Sequence, residues 1–141
     1  MKREAVAEWK GGLKDGRGTI STQSGTLSDT QYSFSARFES GAGTNPEELI
    51  AAAHAGCFTM ALSGQLGNVG LKAEKLRTVA TVTLEKVGDG FSITAVHLAV
   101  TAKVPGADPK VFEAAAKNAE VGCPVSKVLK ATITMDARLE N

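Results

Sequence analysis

Short stretches of strand-like composition open the chain. Around Ala5 to Lys10, Gly18 to Gln23 and Tyr32 to Phe38 they predict three strands, separated by turns rich in Gly, Ser and Asp. A looser stretch from Glu39 to Thr44 leads into Asn45-Pro46-Glu47-Glu48. There Asn45 can cap a helix, Pro46 suits its first position, and Glu48 can complete a capping box. From Glu47 to about Gln65 the residues are apolar on nearly every side and rich in Ala, the pattern of a helix covered by other elements, and Gly67 and Gly70 stop it. Leu76 to Val87 and Phe91 to Val104 are β-branched, alternating runs joined through Gly88-Asp89-Gly90, which predicts a long antiparallel hairpin. Asp108-Pro109 opens a helix through about Glu120, with Val111, Ala114, Ala115 and Ala119 on its buried side. Gly122-Cys123-Pro124 interrupts it; Val125 to Lys130 predicts a short helical stretch, and Ala131 to Leu139 a final strand.

The order of strands, helix, strands, helix and strand is that of an α+β fold, with one domain over residues 1–141. A helix apolar all round needs more cover than one six-stranded sheet and one amphipathic helix comfortably provide, and a second copy of the chain would supply it.

Composition narrows the function classes. Sixteen basic residues against fifteen acidic ones, with no run of like charge, leave no nucleic-acid footprint and no basic patch for a membrane surface. The opening MKREAVAEWKGG lacks the apolar stretch of a secretory signal, so a cytoplasmic location is expected. The weakly polar run from Leu49 to Leu62 falls short of the roughly 20 residues that cross a bilayer. Two cysteines with 65 residues between them do not make a secreted disulfide framework, and a reducing compartment disfavours a merely structural bridge.

Few residues stand out as chemistry. Cys57 lies about three turns into the long helix beside Gly56. A buried cysteine is most often an inert small hydrophobe, and the neighbours of Cys57 in sequence offer no charge to lower its pKa. Cys123 precedes Pro124, where helix N-terminal amides favour a thiolate, although a Gly-Cys-Pro turn chosen for shape reads equally well. His54, three residues before Cys57, permits a zinc reading with Cys57, Cys123 and His97, but paired spacings such as C-x-x-C are missing and a packed core histidine is the commoner case. Arg37 could lower a thiol pKa if the fold brought it to one; otherwise it is a solvated strand residue. Glu47 by default favours the helix dipole. No P-loop, G-x-S-x-G elbow or dinucleotide fingerprint is present, and no cofactor is expected.

Taken together, Gly43-Thr44-Asn45-Pro46-Glu47-Glu48-Leu49-Ile50-Ala51-Ala52-Ala53-His54-Ala55-Gly56-Cys57 and Val121-Gly122-Cys123-Pro124-Val125-Ser126 resemble the two signature segments of the OsmC/Ohr family. The likeness extends over essentially the whole chain and is closer to the OsmC branch. It implies an antiparallel sheet wrapped around a central buried helix in an intertwined homodimer, with two active sites at the subunit interface. It also implies a cysteine-based peroxidase that reduces organic hydroperoxides. On this resemblance Cys57 is the peroxidatic cysteine, Cys123 the resolving cysteine to which it forms a disulfide, and Arg37 and Glu47 the assisting pair. Lys14 or Arg17 is the alternative for the arginine, as in Ohr-like members. The implied reductant is an external dithiol, with a lipoyl-bearing protein suggested chiefly by the Ohr branch. The competing classes are a zinc-binding or ligand-binding module and a non-catalytic stress protein. Ten residues of helix rise about 15 Å, so Glu47 cannot reach Cys57 of its own chain, and a shared site requires the glutamate of one subunit and the cysteine of the other.

Overall fold

A computed structural model describes residues 1–140. They form two compact units, residues 1–49 and 50–141, the second counted with its last, undescribed residue.

In the first unit, strands β1 (Ala5–Lys10), β2 (Arg17–Thr22) and β3 (Thr30–Tyr32) make an antiparallel sheet in the order β1-β2-β3. Gly18 is the one residue β2 can place under the Trp9 and Tyr32 rings, whose centroids are 5.4 Å apart, because a Cβ there would lie 2.3 Å from the Tyr32 ring. The third strand predicted over Tyr32 to Phe38 is not borne out, since β3 lies earlier and shares only Tyr32 with it. It gives way to a five-residue helix, α1 (Phe34–Phe38), because the Ser33 hydroxyl caps the Ala36 amide at 3.1 Å. Arg37 therefore sits in the last turn of a helix, not at the end of a strand.

Helix α2 (Pro46–Asn68) begins where expected. Asn45 Oδ1 accepts from the Glu48 amide at 2.9 Å, as a cap should. The Glu48 carboxylate does not close a capping box; it accepts from the buried Thr44 hydroxyl at 2.6 Å.

In the second unit, β4 (Lys75–Val87) and β5 (Gly90–Lys103) form the expected antiparallel hairpin, with a bulge between Thr83 and Leu84. Helices α3 (Pro109–Gly122) and α4 (Pro124–Val128) lead to β6 (Thr132–Leu139), which pairs with β5 in parallel. The α+β fold is as expected, but its six strands do not form one sheet, and one of the four strand pairings is parallel. Two three-stranded sheets form, and a helical crossover returns the chain in the direction of β5, as parallel pairing requires.

The core of this unit joins Phe58, Leu62 and Leu66 of α2 to Val96, Leu98 and Val100 of β5 and to Phe112, Ala115, Ala116 and Ala119 of α3. Val111 and Ala114, expected inside, face out; counting from the Asp108 cap, Phe112 leads the buried stripe instead. Helix α2 is longer than expected, and an 18-residue window within its 23 residues has a mean hydropathy of 1.3, which meets the length and composition of a bilayer span, a test that the core helix of a globular fold also passes. Only one stripe of it, His54, Phe58, Leu62 and Leu66, is fully covered within this chain. Met60, 79% exposed, stands on the opposite side with Ala53, Gly56, Ser63 and Gly64.

Candidate active site

Two clusters gather the residues singled out in the sequence. The first lies in residues 1–49. Arg37 Nε donates to both Glu47 oxygens, at 3.1 and 3.2 Å, and Nη2 donates to Oε1 at 2.8 Å. This two-pronged engagement fixes the plane of the guanidinium as a lysine could not. Its rigidity has a local origin. Asn45, while capping α2, also donates through Nδ2 to the Ala36 carbonyl at 3.1 Å, so one side chain ties the helix of Arg37 to the helix of Glu47. Gly43, at φ 106°, lets the approaching strand run against β3, where the Thr44 amide reaches the Gln31 carbonyl at 2.8 Å and a Cβ would collide with it. A cavity of about 270 Å³ beside Arg37 is walled by Trp9, Leu13, Tyr32, Phe34 and Phe38. Lys14 and Arg17 are exposed.

The second cluster lies in residues 50–141. Cys57 Sγ, on α2, and Cys123 Sγ are 2.9 Å apart, both as free thiols, so a bond of roughly 2.0 Å needs under an ångström of approach. Cys123 is fully buried and occupies the junction of two helices, C-cap of α3 and N-cap of α4, with Pro124 in the first position after it. The free amides at the start of α4 lie on the side of this cap, although the Cys123 side chain makes no cap hydrogen bond with them.

The two thiols act on each other's ionisation. Burial and the neighbouring Cys123 push the Cys57 thiol above its ordinary value, against a smaller opposing pull from the Val125 amide. For Cys123 burial also acts upward, but the neighbouring Cys57 thiol and the Ser126 and Val125 groups at the start of α4 outweigh it, and the net direction is down. Within this chain the two shifts run in opposite directions, while Cys123 Sγ donates to Cys57 Sγ at 2.9 Å.

His54 is fully buried, and burial pushes its imidazole below the ordinary value, so the ring is neutral at pH 7. Its Nε2 lies 2.7 Å from Ser126 Oγ, and its Nδ1 has no hydrogen-bond partner among the described residues. His97 is elsewhere: on β5 its Nδ1 meets Thr134 Oγ1 at 2.7 Å and its Nε2 faces Asp136 at 3.3 Å. His97 thus packs against β6, and no group of three metal-binding side chains that would draw His54, Cys57, Cys123 and His97 together occurs among the described residues. Phe58 is fully buried and packs into the core with Leu62. Sequence reasoning missed Ser126. The available signal was its place three residues after a capping cysteine, where both amide and hydroxyl can turn toward the cap.

Comparison with known proteins joins these observations. A family model described as OsmC-like protein matches residues 39–138. Peroxiredoxin OsmC of Escherichia coli is 49% identical over 141 residues, covering 100% of this chain and 99% of that protein. Among solved structures, an OsmC-like protein of unknown function from Vibrio cholerae superposes with a TM-score of 0.78 at 17% identity, over 97% of this chain and 99% of that one. The organic hydroperoxide resistance protein OhrB of Bacillus subtilis gives 0.68 at 23% identity, over 97% and 98%. The match runs through both clusters and both sheets, and the chain belongs to the OsmC family.

Proposed function

We propose that this chain is a thiol-dependent peroxidase that reduces organic hydroperoxides at Cys57 and closes the cycle through a disulfide with Cys123. The observation that carries the reading is the meeting of two free thiols, distant in sequence, at 2.9 Å. The full-length likeness to a protein named a peroxiredoxin supports it.

In the first step the Cys57 thiolate attacks the distal peroxide oxygen. The O–O bond breaks, the alkoxide leaves and is protonated to alcohol, and Cys57 becomes a sulfenic acid. Cys123 then attacks that sulfur, the S–O bond breaks, and water leaves. An external dithiol, for which a lipoyl-bearing protein is one candidate, reduces the disulfide and is itself oxidised.

Because burial and Cys123 raise the Cys57 thiol within one chain, something else must draw the charge onto it. Arg37, oriented by Glu47, is the cation of the right geometry. The helical spacing of Glu47 and Cys57 supports giving that role to Arg37 of a second copy, and the uncovered side of α2 bearing Met60 is a surface on which two copies would meet. The working unit is thus a homodimer of single 1–141 domains in the reducing cytoplasm. The aromatic cavity beside Arg37 suits an alkyl or aryl tail, which gains about 0.8 kcal/mol per buried methylene.

The test is thiol titration after one equivalent of cumene hydroperoxide. Wild type should lose both thiols, Cys57→Ser should consume no peroxide, and Cys123→Ser should perform a single turnover and retain a sulfenic acid that dimedone traps. Equal rates with cumene hydroperoxide and hydrogen peroxide would remove the tail pocket from the account.

A further inference from the structure

The peroxidase reading uses two sulfurs, a guanidinium and a carboxylate, and leaves a buried histidine unexplained. His54 has no exposure; its Nε2 meets Ser126 Oγ at 2.7 Å, and its Nδ1 has no hydrogen-bond partner among the described residues. An imidazole buried with one nitrogen unpaired is costly, and an apolar side chain would fill the same place without that penalty. The bond that Nε2 does make is what an apolar residue could not supply.

That bond fastens α4. Backbone bonds from the Lys127 amide to the Cys123 carbonyl, at 3.1 Å, and from the Leu129 amide to the Val125 carbonyl, at 3.2 Å, close its five residues into little more than one turn. A helix this short has no stability of its own in water. None of its side chains is buried, and Val125 and the following Leu129 rest only partly covered against the core. Cys123 at its start makes no side-chain cap hydrogen bond. Its order therefore comes from docking.

The fastening is in register with the sulfurs. His54 stands three residues before Cys57 on α2, and Ser126 three residues after Cys123 at the start of α4. Residues three apart share a helix face. The two elements thus run antiparallel where they meet, with His54 on Ser126 at one contact and Cys57 on Cys123, at 2.9 Å, at the next, about 4.5 Å further along α2.

We propose that the hydrogen bond between His54 and Ser126 is a clasp that docks α4 on α2 and so keeps Cys123 within bonding reach of Cys57. The inference rests on the peroxidase reading above and concerns its second step. There the Cys123 thiolate attacks the Cys57 sulfenic sulfur, the S–S bond forms, the S–O bond breaks, and the departing hydroxide takes a proton to become water. His54 and Ser126 are positioning residues, and neither reacts. Because the clasp already orders α4, closing the disulfide does not have to. Releasing it lowers the effective concentration of one thiol at the other by the factor to which α4 undocks.

That effective concentration is measurable without peroxide, by equilibrating the full chain with reduced and oxidised glutathione. Glutathione disulfide takes two electrons from the dithiol, giving the bond between Cys57 and Cys123 and two molecules of reduced glutathione. Ser126→Ala, at a half-buried position, should lower the exchange constant about fivefold, the effect of losing one net hydrogen bond. His54→Leu should do the same, and the double variant should show the loss once, since both changes break one contact. His54→Gln places an amide, both donor and acceptor, near where Nε2 stands and should stay within about twofold of wild type. After one equivalent of cumene hydroperoxide, dimedone-reactive sulfenic acid on Cys57 should persist longer by the same factor in the disruptive variants. An exchange constant unmoved in Ser126→Ala overturns the clasp even where urea stability falls, because the bond then serves packing alone. Single effects that multiply in the double variant overturn it too, and Ser126→Ala decides by itself if His54→Leu does not fold. If the constant falls as expected but wild-type Cys57 is never sulfenylated, the peroxidase reading fails and the clasp stands.

Discussion

Mixing two inactive variants can restore activity only if each site draws on two chains, and the arithmetic is fixed by the symmetry of a dimer. Arg37→Ala removes the guanidinium from one copy, and Cys57→Ser removes the attacking sulfur from the other. In a homodimer of either variant both sites are dead. In a heterodimer with sites built in trans, one site pairs the intact Arg37 of the serine variant with the intact Cys57 of the alanine variant, and the other site has neither. Random exchange at equal concentration makes about half the dimers mixed, and one site in two works, so recovery should approach about one quarter of wild type. The spacing along α2 is the reason to expect this, since Glu47, which holds Arg37 by three donor–acceptor contacts, is ten residues from Cys57. The assay is peroxide consumption with a dithiol supplied in excess. The variants are unfolded together and refolded, and native mass spectrometry counts the mixed species. Heterodimers present in the expected proportion with no recovered turnover would refute the trans site, and full wild-type activity in a monomer would refute the need for a second chain.

Other expectations follow from the same structure. Arg37→Lys keeps the charge but loses the fork. With Arg37 39% and Glu47 12% exposed, its cost in stability should stay within about 1 kcal/mol in a urea titration, whereas hydroperoxide kcat/KM should fall roughly tenfold or more. Leu62→Ala removes a side chain with no exposure from the core shared by α2, α3 and β5, and should cost about 2 to 5 kcal/mol by the same titration. His54 carries a folded-state pKa below 6.5, so the unfolded chain binds the extra proton first. Its contribution to stability is present above pH 6.5 and lost as pH falls toward the folded value. Urea midpoints from pH 7.5 to 5 should therefore drop more steeply in wild type than in His54→Gln, and parallel curves would contradict the buried, neutral assignment.

How much was legible beforehand depended on whether a feature is decided locally. The hairpin of β4 and β5 and the caps of α2 and α3 were, because alternation, a glycine turn and an Asn-Pro or Asp-Pro start each act within a few residues. The segment from Tyr32 to Phe38 was misread because its composition suits a strand, while a single serine hydroxyl suffices to start a turn of helix; propensity lost to a cap. Pairing direction was out of reach, since nothing in the residues of β6 says which way it runs; the crossover through α3 and α4 decides it. The same crossover brings Cys123 to Cys57, which explains why periodicity could place each sulfur on its own element and only resemblance could join them. Ser126 is the converse case. Once Cys123 is known to cap α4, the third residue after it falls in the first turn of that helix, and Ser126, overlooked in the sequence, is the group whose hydroxyl meets the buried His54 ring at 2.7 Å. A cysteine followed by proline and, at that spacing, by serine is therefore better read as a unit than as a turn with a thiol in it.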